Sequence, residues 1–311
     1  MDDAGLQTFQ WVVTATSNVA LSAIAGSLSA LTILGADDSA WSRSRADSVE
    51  RVLRASIAIA LGAAILGLWI LAALFSELPL LESVGSIGKI LPQTHAGRAW
   101  VVGTTALAVL LLSLRPRRGR PRNSRVLALG AVCAVLFAGS RSWASHAGAT
   151  GDLLAFAIDW AHLVSVSLWA GLVGISARVA LRDPLPQYLR EKNECAHFVQ
   201  ALSDTATGSL AVLVLTGVFS AWRSLGGSLA PLLSSNYGLI LLMKLALVAV
   251  AAALGAHNRF AAMPSLLASL RARSSSISAP YQKFLRVLST ESGVLLAILV
   301  VAAMLSTSSP P

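Results

Sequence analysis

Eight runs of predominantly apolar residues recur along this chain of 311 residues, and that recurrence leaves little choice of architecture. Roughly 20 apolar residues, wound as an α-helix, cross a ~30 Å hydrocarbon core. Lipid offers the backbone no hydrogen-bond partners, so a spanning segment must satisfy its own amides within a helix. The runs fall at residues 8–34, 53–76, 98–114, 126–144, 153–177, 204–222, 237–258 and 288–306. Composition agrees: 55% apolar, 13% charged and a mean hydropathy of +0.69 do not suit a soluble domain. The expected fold is all-α, a single integral membrane domain over residues 1–311 built as a polytopic bundle of eight transmembrane helices. Residues 1–7 are acidic and the first apolar run is long for a signal peptide, so the first span is expected to stay in the protein.

Charge sets the expected orientation. Of the 24 Lys and Arg residues, nineteen lie in connections that follow odd-numbered spans. The opposite side has four, namely Lys89, Arg98, Arg141 and Arg223, while Lys244 lies inside the seventh span. The positive-inside rule then puts both termini on the periplasmic side. Trp11, Trp100, Trp143, Trp160, Trp222 and Tyr237 fall near the predicted outer ends, as one half of an interfacial aromatic belt does. The net charge of +9 is accounted for by topology, and its dispersal among separate loops argues against nucleic acid as a partner. Membrane lipid is the expected surrounding, with the basic run Arg115–Arg125 suited to anionic headgroups. The connection from Arg259 to Val287, basic and Ser-rich, reads as a long cytoplasmic loop. Cys133 and Cys195 sit at different depths without CxxC spacing, so neither a disulfide nor a thiolate cluster is expected.

Ionisable groups at membrane depth are costly unless paired or wetted, which makes them the first candidates for function. The fifth span opens with Asp159 and His162, three residues apart and expected to share a helical face. His95 precedes the third span and His146 follows the fourth, so three of five histidines lie at one membrane face. Imidazole and carboxylate are ligands for borderline divalent metals, Cu(II) among them, and His146, His162, Asp159 and His95 form the candidate metal set. Asp159 either binds metal directly, orients an imidazole, or pairs with Lys244 at a compatible depth. Trp169, two turns below His162, is placed to wall the site. Met243 offers a thioether suited to Cu(I), although Met in an apolar helix more often fills gaps. A second polar group, His257, Asn258 and Glu291, lies toward the other face. Glu291 either relays an ion or proton or pairs with Arg259 or Arg286. Together with Trp169, Met243 and Lys244, this group sketches a translocation path.

At these residues the chain resembles the copper resistance D (CopD) family of bacterial inner-membrane proteins. The resemblance is carried by His146, by Asp159-x-x-His162 with Leu168-Trp169-Ala-Gly171, and by Leu215-Thr-Gly217. Asn236-Tyr237-Gly238 with Lys244, Gly255-Ala-His-Asn258-Arg259, Pro264, Glu291 and a closing Pro-Pro continue it. Gln93 to Trp100 resembles the segment before the family's third helix, whereas the first 90 residues match only in being hydrophobic helices. The resemblance implies copper handling at the cytoplasmic membrane, as uptake from the periplasm with a soluble copper-binding partner, copper resistance protein C (CopC). This chain carries neither a fused copper-binding module nor a Met-rich or His-rich loop, so a donor would be a separate protein.

Two other readings stand beside a copper permease. One is a haem b-binding membrane electron carrier, with His95 and His162 as the first pair of axial ligands to consider. The other is a copper-binding assembly factor without transport. No GxxxxGK[ST], GxSxG or HExxH motif occurs, so nucleotide-driven pumping and hydrolytic chemistry are not expected, and the chain is not read as an enzyme.

Overall fold

The computed structural model describes residues 3–35, 39–114, 123–145, 151–182, 185–272 and 277–308. Eight helices are long and apolar enough to cross a membrane, and the described residues form no strand. They are α1 (Asp3–Leu34), α2 (Ala40–Ser76), α3 (His95–Ser113), α4 (Ser124–Trp143), α5 (Leu153–Ile175), α6 (Leu189–Ser224), α7 (Asn236–His257) and α8 (Ser278–Ser306). An even number of crossings brings both ends of the described chain to the same side of the bundle.

Local chemistry starts most of these helices where the apolar pattern begins. Side-chain oxygens of Ser39, Thr94, Asn123, Asp152 and Ser235 accept from free amides in the first turns of α2, α3, α4, α5 and α7. Pro231 and Pro264 sit in the first turns of the short helices Pro231–Ser234 and Met263–Arg271, where a missing amide hydrogen costs nothing.

α1 and α5 are the central pair, and α1 also packs on α2, α4, α6 and α8. They cross at Gly26 and Gly171, where backbone meets backbone: a Cβ on Gly171 would lie 1.7 Å from the Ser22 carbonyl oxygen. Lipid tails are as apolar as leucine, so close backbone approach, rather than hydrophobic exclusion, holds such a crossing. α6 and α7 are the most peripheral, with Val214, Leu215 and Val218 among the side chains left for lipid.

Three of the basic-side connections expected from the sequence are largely helix. α2 begins at Ala40 rather than near residue 53, α6 at Leu189 rather than 204 and α8 at Ser278 rather than 288. The expected loop after Arg259 contains a π-turn (Asn258–Ala262) running into the helix Met263–Arg271. These extensions are amphipathic rather than uniformly apolar. Cys195, Phe198, Val199 and Leu202 are buried at helical spacing, as are Met263, Leu266 and Leu270 and, on α8, Tyr281, Phe284 and Leu288. They form a helical layer beyond the spans. Within it Glu194 accepts hydrogen bonds from Ser39 and Ser42, and the Tyr281 hydroxyl donates to the Leu181 carbonyl (2.7 Å).

Candidate functional site

Polar side chains concentrate at two levels, one around His162 and one around Glu291. At the His162 end, Asp159 and His162 do not act as a pair. Three residues advance a helix by about 300°, which leaves their side chains about 60° apart and lets each meet a different neighbour. Asp159 turns toward α4, where its Oδ2 accepts from Ser142 Oγ (2.6 Å) and Ser145 Oγ (3.3 Å). His162 turns toward α6, with Nδ1 3.1 Å from Thr216 Oγ1.

The tautomer of His162 follows from the hydrogen bonds around it. Thr216 Oγ1 sits 2.7 Å from the Val212 carbonyl, which only the hydroxyl hydrogen can serve. The hydroxyl oxygen must then accept from His162, so Nδ1 carries the proton and Nε2 keeps its lone pair for a ligand. Gly217 makes room for the ring: a Cβ there would stand 3.4 Å from His162 Cε1.

Two cations face this region. Asp159 acts electrostatically on both Arg141 and Lys244, although no direct ion pair joins Asp159 to Lys244 among the described residues. Arg141 instead donates to Asn18 Oδ1 (2.7 Å), and Asn18 Nδ2 donates to the Leu299 carbonyl (3.2 Å), tying α4, α1 and α8 together. One carboxylate thus answers two cations. At the rim, Asp152 pairs with Arg223 of α6, and the backbone N–H of Ala155 together with Arg223 holds its carboxyl below the usual carboxylate range.

His95 stands apart from His162, half-buried with its ring edge-on to Trp143 at 4.7 Å. His146 lies outside the described residues. Among those described, no three His, Cys, Asp or Glu side chains converge as a metal site, so the candidate set is not assembled there as a cluster. Met243 is exposed on the lipid-facing surface of α7 and His257 is exposed, so neither lines the interior.

At the other level, Trp169 does not wall the His162 site. Its Nε1–H donates to Glu291 Oε1 at 3.0 Å, joining α5 to α8 about 10 Å further along the bundle. Glu291 is not paired with Arg259 or Arg286: Arg259 bonds Ser203 (2.8 Å) and Asp204 (2.9 Å), and Arg286 is exposed. Asn258 is buried beside them. Asn18, Arg141, Ser142 and Thr216 were not named as site residues: Asn18 stood as a lone amide inside an apolar run, Arg141 as an outer-side charge, and Thr216 only as part of Leu215-Thr-Gly217.

An all-helical polytopic bundle with charged and imidazole side chains held inside its spans defines a membrane protein built around an intramembrane polar site. Comparison with known proteins narrows this. The family model for the copper resistance protein D-like N-terminal domain matches residues 1–156, and that for copper resistance protein D matches residues 196–305. The chain belongs to the copper resistance protein D family. The first 90 residues, featureless to the eye beyond their hydropathy, fall within the matched region. Copper resistance protein D of Pseudomonas syringae pv. tomato is 29% identical over 198 residues, 60% of each chain, so the match spans less than two thirds of that relative's length. No solved structure matches the chain.

Proposed function

We propose that the chain carries copper across the bacterial inner membrane, inward from the periplasm, and thereby contributes to copper resistance, without acting as an enzyme. The observation that carries this reading is the His162 imidazole, held through Nδ1 by Thr216 at membrane depth in a chain of the copper resistance protein D family. Supporting the direction, the basic residues gather at the opposite end of the bundle, so the His162 end faces the periplasm with both termini. Copper reaches it from a soluble periplasmic donor of the CopC type, with His146 on the segment between α4 and α5 as a further ligand.

The charges add a mechanism. Arg141 and Lys244 against Asp159 leave one excess positive charge, which opposes an incoming cation. Copper at His162 therefore competes with Lys244 for Asp159, and entry requires Lys244 to move away or give up its proton. Lys244→Met should strengthen copper retention and Lys244→Arg should leave it weak.

The test is metal analysis with an absorbance spectrum on the purified protein, wild type beside His162→Ala, after copper loading and removal of excess. Near-stoichiometric copper in wild type, lost in the variant, leads to flux assays in vesicles; retention without flux would make the protein an assembly factor. A Soret band abolished by His162→Ala, with no copper bound, would overturn the proposal in favour of a haem carrier.

A further inference from the structure

α5, α6, α7 and α8 enclose a cavity of about 160 Å³ around Glu291, one end of it continuing along the π-turn that begins at Asn258. Glu291 is 2% exposed and Trp169, its one hydrogen-bond partner among the described residues, is also 2% exposed. Asn258 is 5% exposed, lines the same space, and its Oδ1 has no hydrogen-bond partner among the described residues. Gly255 borders the carboxylate as well. A Cβ there would come within 3.2 Å of Glu291 Oε1, so the missing side chain keeps the space beside the acid open.

Among the described residues no cation pairs with this carboxylate. Arg259, the other charged residue in the wall, is engaged by Ser203 and Asp204. Lys283 and Arg286 of α8, Arg178 after α5 and His257 of α7 are all exposed. α1 contributes no charged side chain that has been described at this level, and Asp159, Arg141 and Lys244 belong to the other end. A buried carboxylate with one neutral donor is costly to keep ionised. Two acceptors, a carboxylate whose one donor is Trp169 and an amide oxygen with no partner among the described residues, line one space. That arrangement is completed by a positive charge.

The chemistry of the donors restricts which one. Both are oxygen, with a single formal negative charge between them; no imidazole lines the cavity, and its one sulfur, the Met263 thioether, would be a single soft ligand beside two hard ones. Soft Cu(I) prefers thioether or thiolate, and Cu(II) prefers nitrogen, whereas a hard monovalent cation suits this set. We propose that Glu291 and Asn258 form a binding site for a hard monovalent cation, a proton or a sodium ion, separate from the copper-binding end. As a proton site, Glu291 holds O–H when filled and releases H⁺ to cavity water when emptied. As a sodium site, the carboxylate binds Na⁺ after losing that proton. That this cation drives transport rests on the reading given above; that it binds does not.

The experiment contains no copper, so its failure is distinct from failure of the copper reading. Full-length protein in detergent with chelator is titrated with acid, and separately with NaCl replacing choline chloride at constant ionic strength. The readout is the fluorescence of wild type minus that of Trp169→Phe, because the Trp169 indole bonds the acid that changes state. A single saturable step is expected, lost in Glu291→Gln and with affinity reduced about tenfold in Asn258→Ala, the loss of one ligating oxygen. A step with acid alone identifies the proton; a step with sodium that acid competes away identifies sodium. No Trp169-dependent response to either, or the same response in Glu291→Gln, would overturn the assignment. If Glu291→Gln does not elute as a single species, Asn258→Ala and Gly255→Ala decide: a moved midpoint in either supports the site, and unchanged midpoints in both overturn it.

Discussion

Replacing Gly171 with alanine tests the central contact of the bundle with a single methyl group. The added Cβ would stand 1.7 Å from the Ser22 carbonyl oxygen and close to the Gly26 amide, both backbone atoms that no rotamer change can move aside. Ordinary contact begins near 3.4 Å, so α1 and α5 must separate by about 1.7 Å, the difference of those two distances. Overpacking of this kind costs about 1–3 kcal/mol in compressible cores, and a backbone-on-backbone clash belongs at or beyond the upper end. A 3 kcal/mol loss lowers the folded-to-unfolded ratio by more than a hundredfold. The assay is reversible unfolding in mixed micelles, with Gly208→Ala as control, since a Cβ at Gly208 meets nothing within 4 Å. The control should match wild type within about 0.5 kcal/mol. Gly171→Ala should also weaken copper retention and the Trp169 signal, because Trp169 lies two residues away on the displaced helix. Equal stabilities for the two variants would refute the close-crossing argument.

Other consequences are local. Thr216→Val keeps the volume but removes the acceptor of His162 Nδ1–H, so copper retention should fall about 10- to 100-fold with unfolding unchanged; unaltered retention would show that the tautomer is not fixed there. Glu194→Ala strips buried Ser39 and Ser42 of their acceptor and should cost about 1–3 kcal/mol, read from the unfolding midpoint. Arg190→Ala should cost little, because Arg190 is 68% exposed where Glu194 is 5% exposed. Asp152 has a lowered pKa in the folded state, so its cap on α5 stabilises above the ordinary carboxylate range and is lost as pH falls through the lowered value. Amide exchange at Leu154 and Ala155 should speed up over that acidic interval in wild type and be fast throughout in Asp152→Ala.

How far the sequence carries depends on which coordinate is asked for. Depth along the membrane normal is written in hydropathy, so eight spans and two polar levels could be placed without a structure. Direction around each helix is not written there. Asp159 and His162 were expected on one face, yet a 60° offset on α5 sends them to α4 and α6. Trp169 and Glu291 meet across 122 residues of chain, although Trp169 was placed with the His162 site and Glu291 with the group toward the other face. The helical layer built by residues 40–52, 189–203 and 278–287 failed a hydropathy criterion because it is striped rather than uniformly apolar. Its stripe was readable: Cys195, Phe198, Val199 and Leu202 repeat at helical spacing. Asn18 and Arg141 illustrate the remaining gap, since each looks unremarkable until the other is brought beside it.

The place of α1 also bears on how such a protein is made. It leaves the ribosome ahead of the seven other spans described, yet of the helices it packs against only α2 follows directly, while α5 and α8 emerge later. Until then its buried serines and Asn18 face lipid or the insertion machinery with no helix to cover them. Biogenesis must therefore keep α1 waiting, loosely held, until α8 has been inserted and the Asn18–Leu299 hydrogen bond can join the two.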